Sequence, residues 1–356
     1  IVTIGAYETP IWAKSGWLLP LDGFSADYAY DDLLTPVRAS LSLDGKMYAA
    51  PFYAESSFTI YRKDLFQAAG LTMPDQPTYQ QIGEFADKLT DKSKGVFGIC
   101  LRGKPGWGEN MYFITTLANT AGGRIFDMEW KPQFTSEPWT RAVNYYVDIM
   151  KRNGPPGAAS NGFNENQALF SSGKCAIWVD TTSAAGRILD PRQSQVVDKT
   201  GFARAPVDRT DKGSATAWAW GLAVPSSTKN ADAARSFVQW ATSKAYIARV
   251  GETQGWVAAP PGTRKSTYEN PNYLKAAPFA PMVLSAILSV DPSNPTAQPV
   301  PYSGVQFAAI PEFQSVGTKT GQAIASALSG QTSVDAALAA AQKESEDIVR
   351  RSGRAK

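Results

Sequence analysis

Along the first quarter of the chain, apolar positions come in short runs broken by turn residues. Residues 1–5 read as a strand already under way, and Tyr7-Glu8-Thr9-Pro10-Ile11-Trp12 as a turn carrying two aromatics and a carboxylate. A loop at 17–22 and a helix within 31–43 lead to Asp44-Gly45, whose flanks predict a hairpin. Phe58-Thr59-Ile60-Tyr61 is the next strand. Thr78 and Gln81 then form a Thr-x-x-Gln capping pattern, and Ile82, Phe85, Ala86 and Leu89 follow at helical spacing.

The alternation continues downstream. An apolar strand at 95–102 runs into the Gly-rich loop Gly103-Lys104-Pro105-Gly106-Trp107-Gly108-Glu109-Asn110, whose spacing fits neither phosphate-binding fingerprint. Helices are expected at 112–121 and after Ser136, the latter facing the core with Ala142, Val143, Tyr146, Ile149 and Met150 and ending at Gly154-Pro155-Pro156. A short helix at 164–172, closed by Gly173, delivers the chain to the strand Cys175-Ala176-Ile177-Trp178-Val179-Asp180. The strand at 214–225 places Trp218 and Trp220 on one face. Asn230 should cap a helix with Ala234, Phe237, Val238 and Ala241 inward. Residues 255–306 are rich in Pro and poor in pattern, and helices near 317–328 and 334–351 close the chain. Strands alternating with helices predict an α/β fold with a mostly parallel sheet.

Length divides the chain, since 356 residues exceed one small core and favour two lobes. Lys+Arg 35 against Asp+Glu 32, with no basic stripe, gives no case for nucleic acid. The complete absence of histidine removes His-dependent triads and most zinc sites. No metal and no cofactor are expected. Cys100 and Cys175 lack metal-ligand spacing; they are one disulfide in an exported protein or two buried thiols in a cytosolic one. With neither an initiator Met nor a secretory signal, the chain reads as processed or cut.

Aromatic and carboxylate residues recur together after strands and in loops: Tyr7 with Glu8, Tyr53 with Glu55, Trp107 with Glu109, Trp178 with Asp180. A sugar-like ligand offers C–H surface to a ring and hydroxyls to a charged acceptor, which is what such pairs supply. Arg102 adds a forked donor. Asp180, where an apolar strand gives way to small polar residues, stands either at the mouth of a cleft or as the cap of the next helix. A glycosidase would use two of the same carboxylates, but nothing marks an acid poised as proton donor or nucleophile.

The segments Tyr7-Glu8-Thr9-Pro10-Ile11-Trp12, Pro51-Phe52-Tyr53-Ala54-Glu55-Ser56-Ser57, Tyr61-Arg62-Lys63-Asp64-Leu65-Phe66, Arg102-Gly103-Lys104-Pro105-Gly106-Trp107-Gly108-Glu109, Trp178-Val179-Asp180 and Ala217-Trp218-Ala219-Trp220-Gly221 carry a resemblance. The chain resembles the extracellular solute-binding proteins of ABC importers, the group of the maltose-binding proteins, and most closely the branch for sugar alcohols of the mannitol, sorbitol or arabitol type. The resemblance implies a type II periplasmic binding protein fold: two α/β lobes, a hinge and a ligand cleft between them. It implies lobes formed by 1–57 with 217–258 and by 58–216 with 259–356, the first lacking its start. By position, Tyr7, Glu8, Glu55, Arg102, Glu109 and Asp180 would bind hydroxyls. Tyr53, Trp107, Trp218 and Trp220 would form walls, with Trp256 and Gln306 as further candidates. It also implies a non-catalytic, monomeric receptor in the periplasm or outside the cell, handing a polyol, or alternatively a cyclic mono- or oligosaccharide, to an ABC permease.

Overall fold

The computed structural model describes residues 1–354. The chain forms two units, Ile1–Ser56 with Ala217–Val290, and Ser57–Thr216 with Asp291–Lys356. Residues 259–290, expected with the second unit, belong to the first. Their polar groups hold them there: Leu34 N donates to Thr263 O, Ala54 N to Pro261 O, and the fully buried Arg264 to Thr242 O, Ala29 O and Asp32. The pattern-poor stretch also contains the short helices Lys265–Glu269, Pro271–Ala276 and Ala280–Ser289, which Pro-rich flanks conceal.

In the first unit, β1 (Val2–Gly5) is followed by the helix Glu8–Lys14, where a turn was expected. The difference follows from Glu8 opening that helix, where a carboxylate suits the N-terminal dipole. The hairpin of β2 (Ser42–Leu43) and β3 (Lys46–Met47) turns through Asp44 and Gly45, both at positive φ, as the Asp-Gly signal demands. β4 (Ala49–Glu55) precedes the chain's passage into the second unit.

That unit holds β5 (Ser57–Arg62), β6 (Phe97–Cys100), β7 (Cys175–Thr181) and β8 (Thr200–Arg204); β9 (Trp218–Ala223) then returns to the first. The first unit's sheet has the order β1-β9-β4 and is antiparallel throughout. The second has the order β6-β7-β5-β8, and only β6 and β7 are parallel. The expected mostly parallel sheet is thus corrected. β5 lies between β7 and β8 and runs against both, a direction that hydrophobic runs alone do not encode.

The first unit's core includes Leu21, Tyr28, Leu33, Met47, Ala50, Val224 and Val238. The helix Ala231–Ala241 turns Val238 and Ala241 inward, but Phe237 is 49% exposed, against expectation, and its ring meets that of Trp240 at a tilt on the surface. Asn230 precedes that helix without accepting a side-chain capping bond. In the second unit the helix Asn110–Thr120 is buried along its whole length, in contact with the helices Glu137–Asn153 and Phe313–Leu328. The Thr78–Gln81 capping box forms as read, Gln81 N donating to Thr78 Oγ1 at 3.1 Å. Cys100 and Cys175 are joined as a disulfide, which settles the open alternative. No helix among the described residues is long and apolar enough to cross a membrane.

Candidate functional site: two polar and aromatic clusters

Residues directly opposite in an antiparallel pair point to the same sheet face. The register sets Glu55 against Trp218 and Tyr53 against Trp220, with Gly5 across from Trp220 on the other side. An irregularity between Pro51 and Tyr53 establishes this pairing, so that one face carries Tyr53, Glu55, Trp218 and Trp220. The Tyr53 and Trp220 rings lie 6.4 Å apart, and Trp218 meets Trp220 edge to face at 5.5 Å.

Gly5 makes this possible, because a Cβ there would collide with the Trp218 ring and stand 2.9 Å from Glu8 Oε2. Glu8 opens its helix and accepts a hydrogen bond from Gly5 N at 3.2 Å. Burial pushes its carboxyl above the ordinary 4.5, only partly opposed by the N–H groups of Glu8 and Gly5. Tyr7, 2% exposed, immediately precedes it. Trp256 makes its described packing contact elsewhere, laying its ring against Gly251 of the helix Lys244–Gln254.

The second unit builds its cluster at the ends of parallel strands. β6 and β7 pair Phe97 with Cys175 and Cys100 with Trp178, and the same offset of 78 residues brings Arg102 beside Asp180. This is the carboxyl edge where open α/β sheets hold ligands. Arg102 Nε donates to Asp180 Oδ2 at 2.9 Å and Nη2 to Oδ1 at 2.6 Å, a bidentate fork. Asp180, 1% exposed, also accepts from Trp178 Nε1 at 3.0 Å and Thr181 N at 2.7 Å. With protein donors on both oxygens, Asp180 is placed to position Arg102 rather than to offer a bare carboxylate. It caps no helix; the turn Thr182–Ala184 has no side-chain cap, and Thr181 Oγ1 is shared with Ser183 Oγ.

The Arg102 guanidinium lies over the rings of Tyr112 (4.8 Å) and Phe163 (5.1 Å), and its Nη1 donates to Gly108 O at 2.8 Å. Burial alone would lower its pKa, but the charge and hydrogen bonds of Asp180 outweigh it and hold the group above the ordinary value. Glu109 closes the loop, with Oε2 3.7 Å from Arg102 Nη1 and Oε1 3.4 Å from Lys104 Nζ. Its Oε2 is buried and has no hydrogen-bond partner among the described residues. Gly162 lies against that carboxylate, where a Cβ would stand 2.8 Å from Oε2.

Asn110 clamps the loop, accepting from Gly106 N and donating to Gly321 O. Trp107, half-buried, meets Phe313 edge to face. Gln306 is buried in the segment that Asn119 holds through Val305 O. The structure thus gathers Arg102, Glu109 and Asp180 tightly, with Trp107 on the same loop, while Gln306 reaches the unit's interior from a separate segment. Sequence reasoning missed Gly5, Tyr112, Phe163 and Gly162. Only Gly5, a glycine ending an apolar strand one turn before Glu8, carried a local signal.

Residues 1–248 match the family model described as bacterial extracellular solute-binding protein. The chain is 54% identical over 353 residues to the mannitol-binding protein of Pseudomonas aeruginosa, covering 99% of this chain and 81% of that one. A crystal structure of an ABC transporter solute-binding protein from Agrobacterium vitis S4, with bound D-mannitol, superposes with a TM-score of 0.97 at 56% identity, over 99% of this chain and 85% of that one. A solute-binding protein from Agrobacterium radiobacter K84 in complex with ribitol follows at 0.84 and 27% identity, over 98% and 84%. The fold is that of the type II two-lobe periplasmic binding proteins. With its family model matched over most of its length and a relative 54% identical across nearly all of it, the chain belongs to the bacterial extracellular solute-binding proteins.

Proposed function

We propose that the protein is a polyol receptor of the periplasm, which binds a linear sugar alcohol of the mannitol type and passes it to an ABC permease. The observation that carries this reading is the pairing of the A. vitis likeness, a protein holding D-mannitol, with a buried acceptor, Glu109 Oε2, left without a hydrogen-bond partner beside a locked Arg102. A polyol hydroxyl donates to Glu109 and accepts from Arg102, so it suits both groups at once. Glu8 and Glu55 would take further hydroxyls, with Tyr7 beside them. Tyr53, Trp218, Trp220 and Trp107 would cover the C–H surface of the carbon chain. Asp180 would act through Arg102, and Trp256 and Gln306 are the outlying members.

Selectivity would come from hydroxyls that a site built to pair them needs, since an analogue lacking one leaves a buried group unpaired. A thermal-shift panel of D-mannitol, ribitol, D-mannose and maltose tests the reading. At about 100 times its dissociation constant a ligand adds roughly 2.7 kcal/mol to the folded state. Stabilisation by D-mannitol supports the receptor as described; stabilisation by maltose or mannose alone replaces the polyol with a cyclic sugar.

A further inference from the structure

The loop that carries Glu109 rests on the segment just before the helix Phe163–Ser171. Gly103 N and Lys104 N both donate to Asn161 O, at 2.8 and 3.0 Å. Gly103 comes so close that a Cβ there would stand 2.1 Å from Ala158 O. On the other side of Asn161, Phe163 lies under the Arg102 guanidinium at 5.1 Å. Gly162 sits between these contacts, and the whole Glu109 carboxyl group comes against it. A Cβ at Gly162 would meet Oε2 at 2.8 Å, Oε1 at 2.9 Å and Cδ at 3.1 Å.

Backbone conformation does not call for a glycine at this position. Gly162 has φ −99° and ψ −157°, extended backbone that other residues adopt freely. Its N–H donates to Glu165 Oε2 at 2.9 Å, a bond that any residue except proline would make. What the missing Cβ supplies is room. A carbon placed there would stand closer to the carboxylate oxygens than atoms pack, and Glu109, whose carboxylate ends a flexible side chain, is the partner that yields. We propose that Gly162 is a positioning residue of the polyol site: its bare Cα sets where the Glu109 carboxylate stands, with Oε2 3.7 Å from Arg102 Nη1, and a side chain there displaces that acceptor from the hydroxyl it receives. This rests on the polyol reading of the same site and adds to it a residue that acts through Glu109.

The test is Gly162→Ala, alone and combined with Glu109→Ala, read by calorimetric titration of D-mannitol and by a crystal structure of the unliganded single variant. Gly162→Ala should fold with a urea midpoint near that of wild type, because extended backbone accepts alanine, and should bind D-mannitol at least about tenfold more weakly. Its crystal structure should show the Glu109 carboxylate moved away from residue 162, with Arg102 still forked on Asp180. In the Glu109→Ala background the same substitution should change affinity by less than about twofold, since the group it displaces is gone. A Gly162→Ala protein that does not fold, that binds D-mannitol like wild type, or that keeps the Glu109 carboxylate in place overturns the inference, as does an equal loss of affinity with and without Glu109. Should wild type fail to bind D-mannitol, the polyol reading falls, while the position of Glu109 in the variant's crystal structure still decides what Gly162 does.

Discussion

Asp180 shows how far one residue's role depends on what surrounds it. Its position at the end of an apolar strand pointed to a ligand site, but Arg102, Trp178 and Thr181 occupy both its oxygens. Removing it would leave the Arg102 cation buried without its partner. Asp180→Ala should therefore cost about 3–5 kcal/mol in urea unfolding of the unliganded protein, whereas a bare ligand carboxylate at the surface of a cleft would cost little.

Glu8 makes a prediction of the opposite kind. Its folded pKa lies above 4.5 because burial disfavours the charged form. The folded state therefore holds the proton more tightly than the unfolded one, and stability falls as pH rises from about 4.5 through the folded pKa. Glu8→Gln should remove that loss, so the unliganded variant melts higher than wild type at pH 7 and alongside it at pH 4. Equal melting differences at both pH values would show that Glu8 does not titrate in this window. These two carboxylates look alike in the sequence, and only the register and burial around them separate their roles.

At the scale of elements, what the sequence conveyed was local. The Thr78–Gln81 box and the spacing of Ile82, Ala86 and Leu89 placed the helix Tyr79–Leu89 because capping and amphipathicity are written in neighbouring residues. Thr78→Ala should cost about 1 kcal/mol by thermal unfolding and leave ligand affinity unchanged. Strand direction and the ownership of residues 259–290 were not legible, since both are decided by partners far along the chain. Arg264, for one, finds Ala29, Asp32 and Thr242. The same limit applied to the candidate site. Sharing of a face by Trp218 and Trp220 followed from alternation, but the placement of Tyr53 and Glu55 against them needed the irregularity after Pro51. The family resemblance supplied what periodicity could not, by matching whole segments at once.

For the whole molecule, each unit is assembled from two separated stretches of chain, with passages after Ser56, Thr216 and Val290. Such long-range closure slows folding relative to a protein of local contacts, and it also means that either unit presents side chains from distant parts of the sequence. The central claim is that Glu109, beside Arg102, receives a hydroxyl of a linear polyol. Calorimetric titration of D-mannitol into wild type and Glu109→Gln tests it most directly. The prediction is saturable binding at one D-mannitol per chain, weakened about tenfold to a hundredfold in the variant by loss of a charged hydrogen bond. No heat from D-mannitol, or an affinity unchanged in Glu109→Gln, would contradict it.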